Sequence, residues 1–304
     1  MEVGIMGTNG VFYFEEIIDS AAKAENSVPF EFYKARDGAQ LPFRRYAAES
    51  DVYTILIHGS SADSTYLYSL SDFLSSNNLC HVYTPDLRGH GPETRTRGDI
   101  SYVDQLEDDI ADLIQFIRAK AGADARIIVG GHSSGGSMAV RFAGGQYGNL
   151  VTGVVLLAPY LGHDSPAVRK NTGGWAQVSI PKVIAISLLN QLGITFFNRV
   201  KVLKFNKQEE YQTEHDTLEY SYNLMTGMQP ADFGDSLRRI QVPVISLIGS
   251  EDEVFYPSKF EANITPYKKD ARVVIVENAR HLGIVTDKAV MAEISNWIRS
   301  MWVF

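Results

Sequence analysis

Short apolar runs at residues 53–57, 80–83, 126–129 and 151–157 alternate with amphipathic stretches at 66–74, 103–117 and 137–142. The runs are too short for helices and too uniformly apolar for strands with one wet face, so they read as strands covered on both sides. Parallel strands need long crossovers, and the amphipathic stretches between the runs supply them with the usual right-handed sense. The expected fold class is therefore α/β, a mostly parallel sheet with helices on both faces.

The rhythm has a preface, an interruption and a return. At residues 30–46 two alternating runs flank Asp37-Gly38, the signature of a tight hairpin. Between 160 and 230 the alternation gives way to Gly, Pro, aromatic and mixed-charge sequence, which predicts an inserted helical cap. Strand-like runs return at 242–248 and 273–276, and a last amphipathic helix is expected over about 287–301. With no internal repeat or low-complexity linker, the organisation predicted is an N-terminal helical extension (1–27), a core split into 28–159 and 231–304, and the cap at 160–230. In the extension, Phe12, Phe14, Ile17, Ile18 and Ala21 recur at helical spacing. That face is open to three readings: packing on the core, contact with a membrane, or contact with a second copy in a homodimer.

A chain of 304 residues, 45% hydrophobic and 21% charged, is long enough to bury one large core. Its net charge of −8 and the lack of a concentrated Lys/Arg surface argue against a nucleic-acid partner. The single cysteine, Cys80, has no partner for an intramolecular disulfide and lies in an apolar run, so it reads as a buried, inert thiol. No cationic stretch followed by a long apolar run opens the chain, which points to the cytoplasm. The most apolar segment, 183–197, is broken by Asn190, Gln191 and Gly193, so no transmembrane segment is expected.

The chemistry is concentrated at Gly131-His132-Ser133-Ser134-Gly135, a G-x-S-x-G pattern between a β-branched run and a helix-compatible stretch. A serine on a strained strand-to-helix turn leaves no room for side chains two positions away, and Gly131 and Gly135 occupy those positions. A serine hydroxyl needs a base, and the base needs an acid to orient it. Among seven histidines, His281 alone follows the last strand-like run, on a loop at the carboxyl edge of the sheet. Of the three carboxylates in Gly249-Ser250-Glu251-Asp252-Glu253, Asp252 is the preferred acid, with Glu251 and Glu253 as alternatives. Oxyanion donors are expected from the backbone N–H groups of Ser60, at the end of the 53–57 run, and Ser134. Asp86 and Arg88 read as an internal ion pair fixing a Gly-rich loop, and His132 as a packing or hydrogen-bonding neighbour of the nucleophile.

His58-Gly59, Pro85-Asp86-Leu87-Arg88-Gly89-His90-Gly91, the Gly131 to Gly136 motif, and Gly249-x-x-Asp252 with His281 together resemble the α/β-hydrolase superfamily. The chain is most similar there to the monoacylglycerol lipase, lysophospholipase and serine aminopeptidase branch, over about residues 30–301. The resemblance implies an eight-stranded, mostly parallel sheet with an inserted cap. It also implies a serine hydrolase that cleaves a small-molecule, ester or lipid-like substrate through an acyl-enzyme, with no metal or organic cofactor. Amide, thioester or acyl-transfer chemistry on the same triad and a slow-turnover receptor remain alternatives. His58, Trp175, Phe196 and Phe197 are candidates for the substrate pocket. Two departures stand out: Ser134 occupies a position where lipase-like members often carry an apolar residue, and the extension ahead of the hairpin has no counterpart in the pattern.

Overall fold

The computed structural model describes residues 12–170 and 174–302. Its strands are β1 (Phe30–Lys34), β2 (Gln40–Tyr46), β3 (Val52–Ile57), β4 (His81–Pro85), β5 (Arg126–His132), β6 (Gly153–Leu157), β7 (Ala176–Val178), β8 (Lys201–Phe205), β9 (Glu219–Ser221), β10 (Val244–Gly249) and β11 (Arg272–Val276). Eight of them form one sheet in the order β1-β2-β4-β3-β5-β6-β10-β11. The hairpin strand β1 pairs antiparallel with β2, and β2 antiparallel with β4; the remaining neighbours are parallel. The fold is that of an α/β hydrolase. The central strands β5, β6 and β10 are buried almost throughout, as their unbroken apolar runs require, whereas the edge strands β1 and β11 are half wet.

The helices are α1 (Glu15–Ser27), α2 (Tyr68–Ser76), α3 (Gln105–Ala121), α4 (Ser134–Gly144), α5 (Ile180–Gln191), α6 (Tyr222–Gly227), α7 (Phe233–Arg239), α8 (Phe260–Ile264) and α9 (Lys288–Met301). Asp287 caps α9 by accepting from the Ala289 and Val290 N–H groups at 2.7 and 3.1 Å, so the helix starts where its first free amides find an acceptor. Register aligns Ile57 with Gly131, and both Gly131 and Leu247 with the end of β6. The carboxyl ends of β3, β5, β6 and β10 therefore emerge side by side, where ligands of open α/β sheets bind.

Two parts of the chain depart from the pattern read in the sequence. Residues 160–230 carry helices, but also a three-stranded antiparallel sheet, β7-β8-β9. Strands of three residues, such as β7 and β9, are too short to display a period of two. The apolar stretch over α5 and the following turn points outward: Ile180, Ile184 and Leu188 are more than half exposed, Leu192 is 76% exposed, and only Ile186 of α5 is buried.

Helix α1 packs on its own core. Ser20 Oγ donates to the Tyr66 carbonyl and accepts from the Ser69 N–H, both at 3.0 Å, and Ala24 is fully buried. Residues 1–11 of the predicted extension lie outside the described residues. Among the described residues no helix is long and apolar enough to cross a membrane.

Candidate active site

Ser133 sits between the last residue of β5 and the first of α4 with φ +56°, a conformation that an L-residue adopts only when its surroundings dictate it. Its N–H donates to the Leu157 carbonyl at 2.9 Å, and its carbonyl accepts from the Gly136 and Tyr160 N–H groups at 3.0 Å each. The flanking glycines are required by space. A Cβ on Gly135 would run into the carbonyl oxygens of Ile57 and His58, and one on Gly131 would run into the backbone of Gly135.

His281 lies on the loop that follows β11. Its Nδ1 lies 2.8 Å from Asp252 Oδ2 and donates to it, since a carboxylate only accepts. Nε2 of the neutral ring is then left to accept from Ser133 Oγ at 3.1 Å. The second oxygen of Asp252 accepts from the Val254 and Phe255 N–H groups at 2.8 and 2.7 Å, which fixes the carboxylate. Both Asp252 and His281 are buried. Of the alternative acids, Glu251 faces Arg280 at 3.6 Å, whereas Glu253 accepts the His281 N–H at 3.0 Å and so braces His281 through its backbone. Burial raises the Glu253 carboxyl above its ordinary range.

The loop after β3 is held by two matching relays. The Gly59 N–H donates to the Tyr66 hydroxyl at 2.6 Å, that hydroxyl donates to His132 Nδ1 at 2.9 Å, and His132 Nε2 donates to the His281 carbonyl at 2.9 Å. The Ser61 N–H donates to the Tyr220 hydroxyl at 2.9 Å, which donates to His90 Nε2 at 2.6 Å, while His90 Nδ1 donates to the Arg88 carbonyl at 3.3 Å. Burial, reinforced by a neighbouring histidine in each case, drives His132 and His90 well below the normal histidine range, so both stay neutral and can accept from a tyrosine. The residues on either side of Ser60 are thus clamped. Ser60 Oγ in turn meets Ser134 Oγ at 2.9 Å, which brings the two expected oxyanion residues together beside Ser133.

The cavity at Ser133 has a volume of about 40 Å³, with Gly59, Ser60, Ala62, His281 and Leu282 in its walls. Trp175 lines it as the sequence suggests, and Phe12 and Ile17, which the sequence places only on the apolar face of the extension, line it too. His58 does not. It is fully buried beneath the loop, where Nε2 accepts the Leu87 N–H at 3.1 Å and Nδ1 donates to the Gly59 carbonyl at 2.8 Å. Phe196 and Phe197 do not line it either, because they follow α5 onto the outer face of the inserted segment, where Phe196 is 82% exposed. The expected Asp86–Arg88 pair is also absent: Arg88 binds Asp109 at 2.8 Å and Asp37 at 3.0 Å, and Asp86 instead accepts from the Ser64 N–H at 2.8 Å. A larger cavity of about 120 Å³ lies between Asp86, Arg88, Asp99 and Arg199, but none of the Ser133, Asp252 and His281 side chains reaches it.

Residues 48–288, more than three quarters of the chain, match the family described as serine aminopeptidase, S33. The chain belongs to that family. S33-family membership makes it a hydrolase of the α/β fold. It is 26% identical to the proline iminopeptidase PfmaB of Pestalotiopsis fici over 267 residues, 81% of this chain and 90% of that one. Among solved structures it is similar to a soluble variant of the monoglyceride lipase of Saccharomyces cerevisiae, with a TM-score of 0.65, 19% identity, and 90% and 96% of the two chains covered. It is also similar to the monoacylglycerol lipase of Paleococcus ferrophilus, with a TM-score of 0.64, 18% identity, and 86% and 100% covered.

Proposed function

We propose that this S33-family hydrolase is a serine esterase acting on small-molecule carboxylic esters, with residues 160–230 as a cap over the site. The observation that carries the reading is the unbroken relay from Ser133 Oγ through His281 to the buried Asp252, on a strained turn beside Ser60 and Ser134. Ser133 Oγ attacks the ester carbonyl while His281 Nε2 takes its proton. The oxygen that becomes negative faces the Ser60 and Ser134 N–H groups. Collapse of the tetrahedral intermediate breaks the bond to the alcohol, which leaves with the proton from His281, and the acyl group stays on Ser133. Water then gives a proton to His281 and attacks the acyl-enzyme, which releases the acid and restores Ser133. Asp252 holds the histidine tautomer and steadies its cationic form. The scheme uses side chains, backbone amides and water alone.

An ester fits the lining better than a free-amine peptide. Among the described residues, the walls of the cavity are aliphatic, aromatic, histidine and hydroxyl groups, with no carboxylate to hold an ammonium. Of the carboxylates in the inserted segment, Asp216 binds Lys207 at 2.8 Å, and the Glu214 side chain is almost wholly exposed. Ser133→Ala is expected to lower kcat on p-nitrophenyl esters by on the order of 10⁴-fold or more, with an unchanged melting temperature. Hydrolysis at the wild-type rate in that variant would overturn the assignment.

A further inference from the structure

The room beside Ser133 is limited by residues that precede the sheet. We propose that Phe12, held in place by α1, is a specificity-determining wall that restricts the acyl group to a few carbons; the proposal rests on Ser133 being the nucleophile. The cavity of about 40 Å³ compares with roughly 300–1,000 Å³ for pockets that enclose a drug-sized ligand. It has space for about three waters and is too small to enclose an octanoyl chain.

Phe12 closes this space from above. Its ring centroid lies 5.3 Å from that of His281 and 4.6 Å from that of Trp175, in an edge-on contact, and the residue is buried. Behind it, Phe14 packs on Phe12 at 5.9 Å, on Trp175 at 6.1 Å and on Tyr211 at 5.3 Å, with the Lys207 ammonium 5.1 Å above its ring. The wall therefore joins the start of α1 to the inserted segment.

The wall is also fastened to the loop that carries the base. Arg280, next to His281, reaches Glu16 at 3.5 Å and lies over the Tyr13 ring at 4.0 Å. On the other side, Ser20 is bonded to Tyr66 and Ser69. A segment tied to the catalytic loop at one end and to the core at the other holds a fixed position over Ser133. It acts as a size filter, and a flap that swings aside on binding would leave chain length unselected.

The test compares wild type with Phe12→Ala and Phe12→Leu, each as the full chain, on p-nitrophenyl acetate, butyrate and octanoate below their aggregation limits. Labelling by short-chain and long-chain alkyl fluorophosphonates is followed in parallel. Wild type is expected to favour butyrate over octanoate in kcat/KM by about tenfold or more, and Phe12→Ala to shift that ratio toward octanoate by about tenfold, with Phe12→Leu between them. The labelling rates should shift in the same direction. Wild-type preference for octanoate would overturn the proposal. So would an unchanged ratio in Phe12→Ala, or in Phe12→Leu should the alanine variant fail to fold. If wild type neither hydrolyses the short esters nor takes up the short probe, it is the esterase reading that fails.

Discussion

Asp86 is a carboxyl group with almost no access to water: one oxygen accepts from Ser64, and the other is buried without a partner among the described residues. Burial first, and the nearby Asp63 second, push it up to about 7. Between the unfolded-state value of about 3.9 and the folded value, folding takes up a proton. The destabilisation from ionised Asp86 is therefore complete above pH 7 and fades as pH falls toward 4. Asp86→Asn removes it, so the variant should gain stability over wild type at pH 8.5, with the gain shrinking by pH 5 in urea denaturation; a difference independent of pH would contradict this assignment. The sequence placed Asp86 in a structural loop but paired it with the wrong partner, because adjacency at Asp86 and Arg88 says nothing about Asp109 across the fold. The approach of Ser133, Asp252 and His281 to one another was legible for a local reason: a strained turn needs glycines two residues away, and the carboxylate and the histidine each follow a strand end. Phe12, Tyr66 and Tyr220 carry no such spacing, since only tertiary approach brings them to the site.

Tyr220 lies on β9, so an element of the inserted segment holds the loop that carries Ser60. Losing one direct oxyanion donor costs about 10²–10³ in turnover. Removing a hydroxyl that only positions the loop should cost less. Tyr220→Phe is expected to lower kcat about tenfold with KM within about twofold, the split that separates a positioning role from lost binding. Equal kcat in the variant would mean that the loop needs no help from β9. Elements with a full period were readable: the hairpin around Asp37-Gly38, the buried central strands, and α9 starting after Asp287. The sheet β7-β8-β9 was not, because its strands are short and their pairing is non-local. Helix α5 shows the limit of composition, since a run of isoleucine and leucine reads alike whether it faces a pocket or the solvent.

At the scale of the whole molecule, the sheet brings together groups far apart in the chain: Ser133 and His281 are 148 residues apart, and Tyr220 reaches Ser61 across 159. The match to the S33 family spans residues 48–288. It does not account for α1, whose leading residues complete the wall of the cavity. On the proposed reading, the fold supplies a general hydrolase site and this chain adds a restriction on it. The most direct test of the central claim is reaction of the full chain with a small fluorophosphonate, followed by peptide mapping. Stoichiometric modification of the peptide carrying Ser133, with parallel loss of esterase activity and no modification of Ser133→Ala, is the result predicted. Modification at another residue, or ester hydrolysis that survives complete labelling of Ser133, would contradict it.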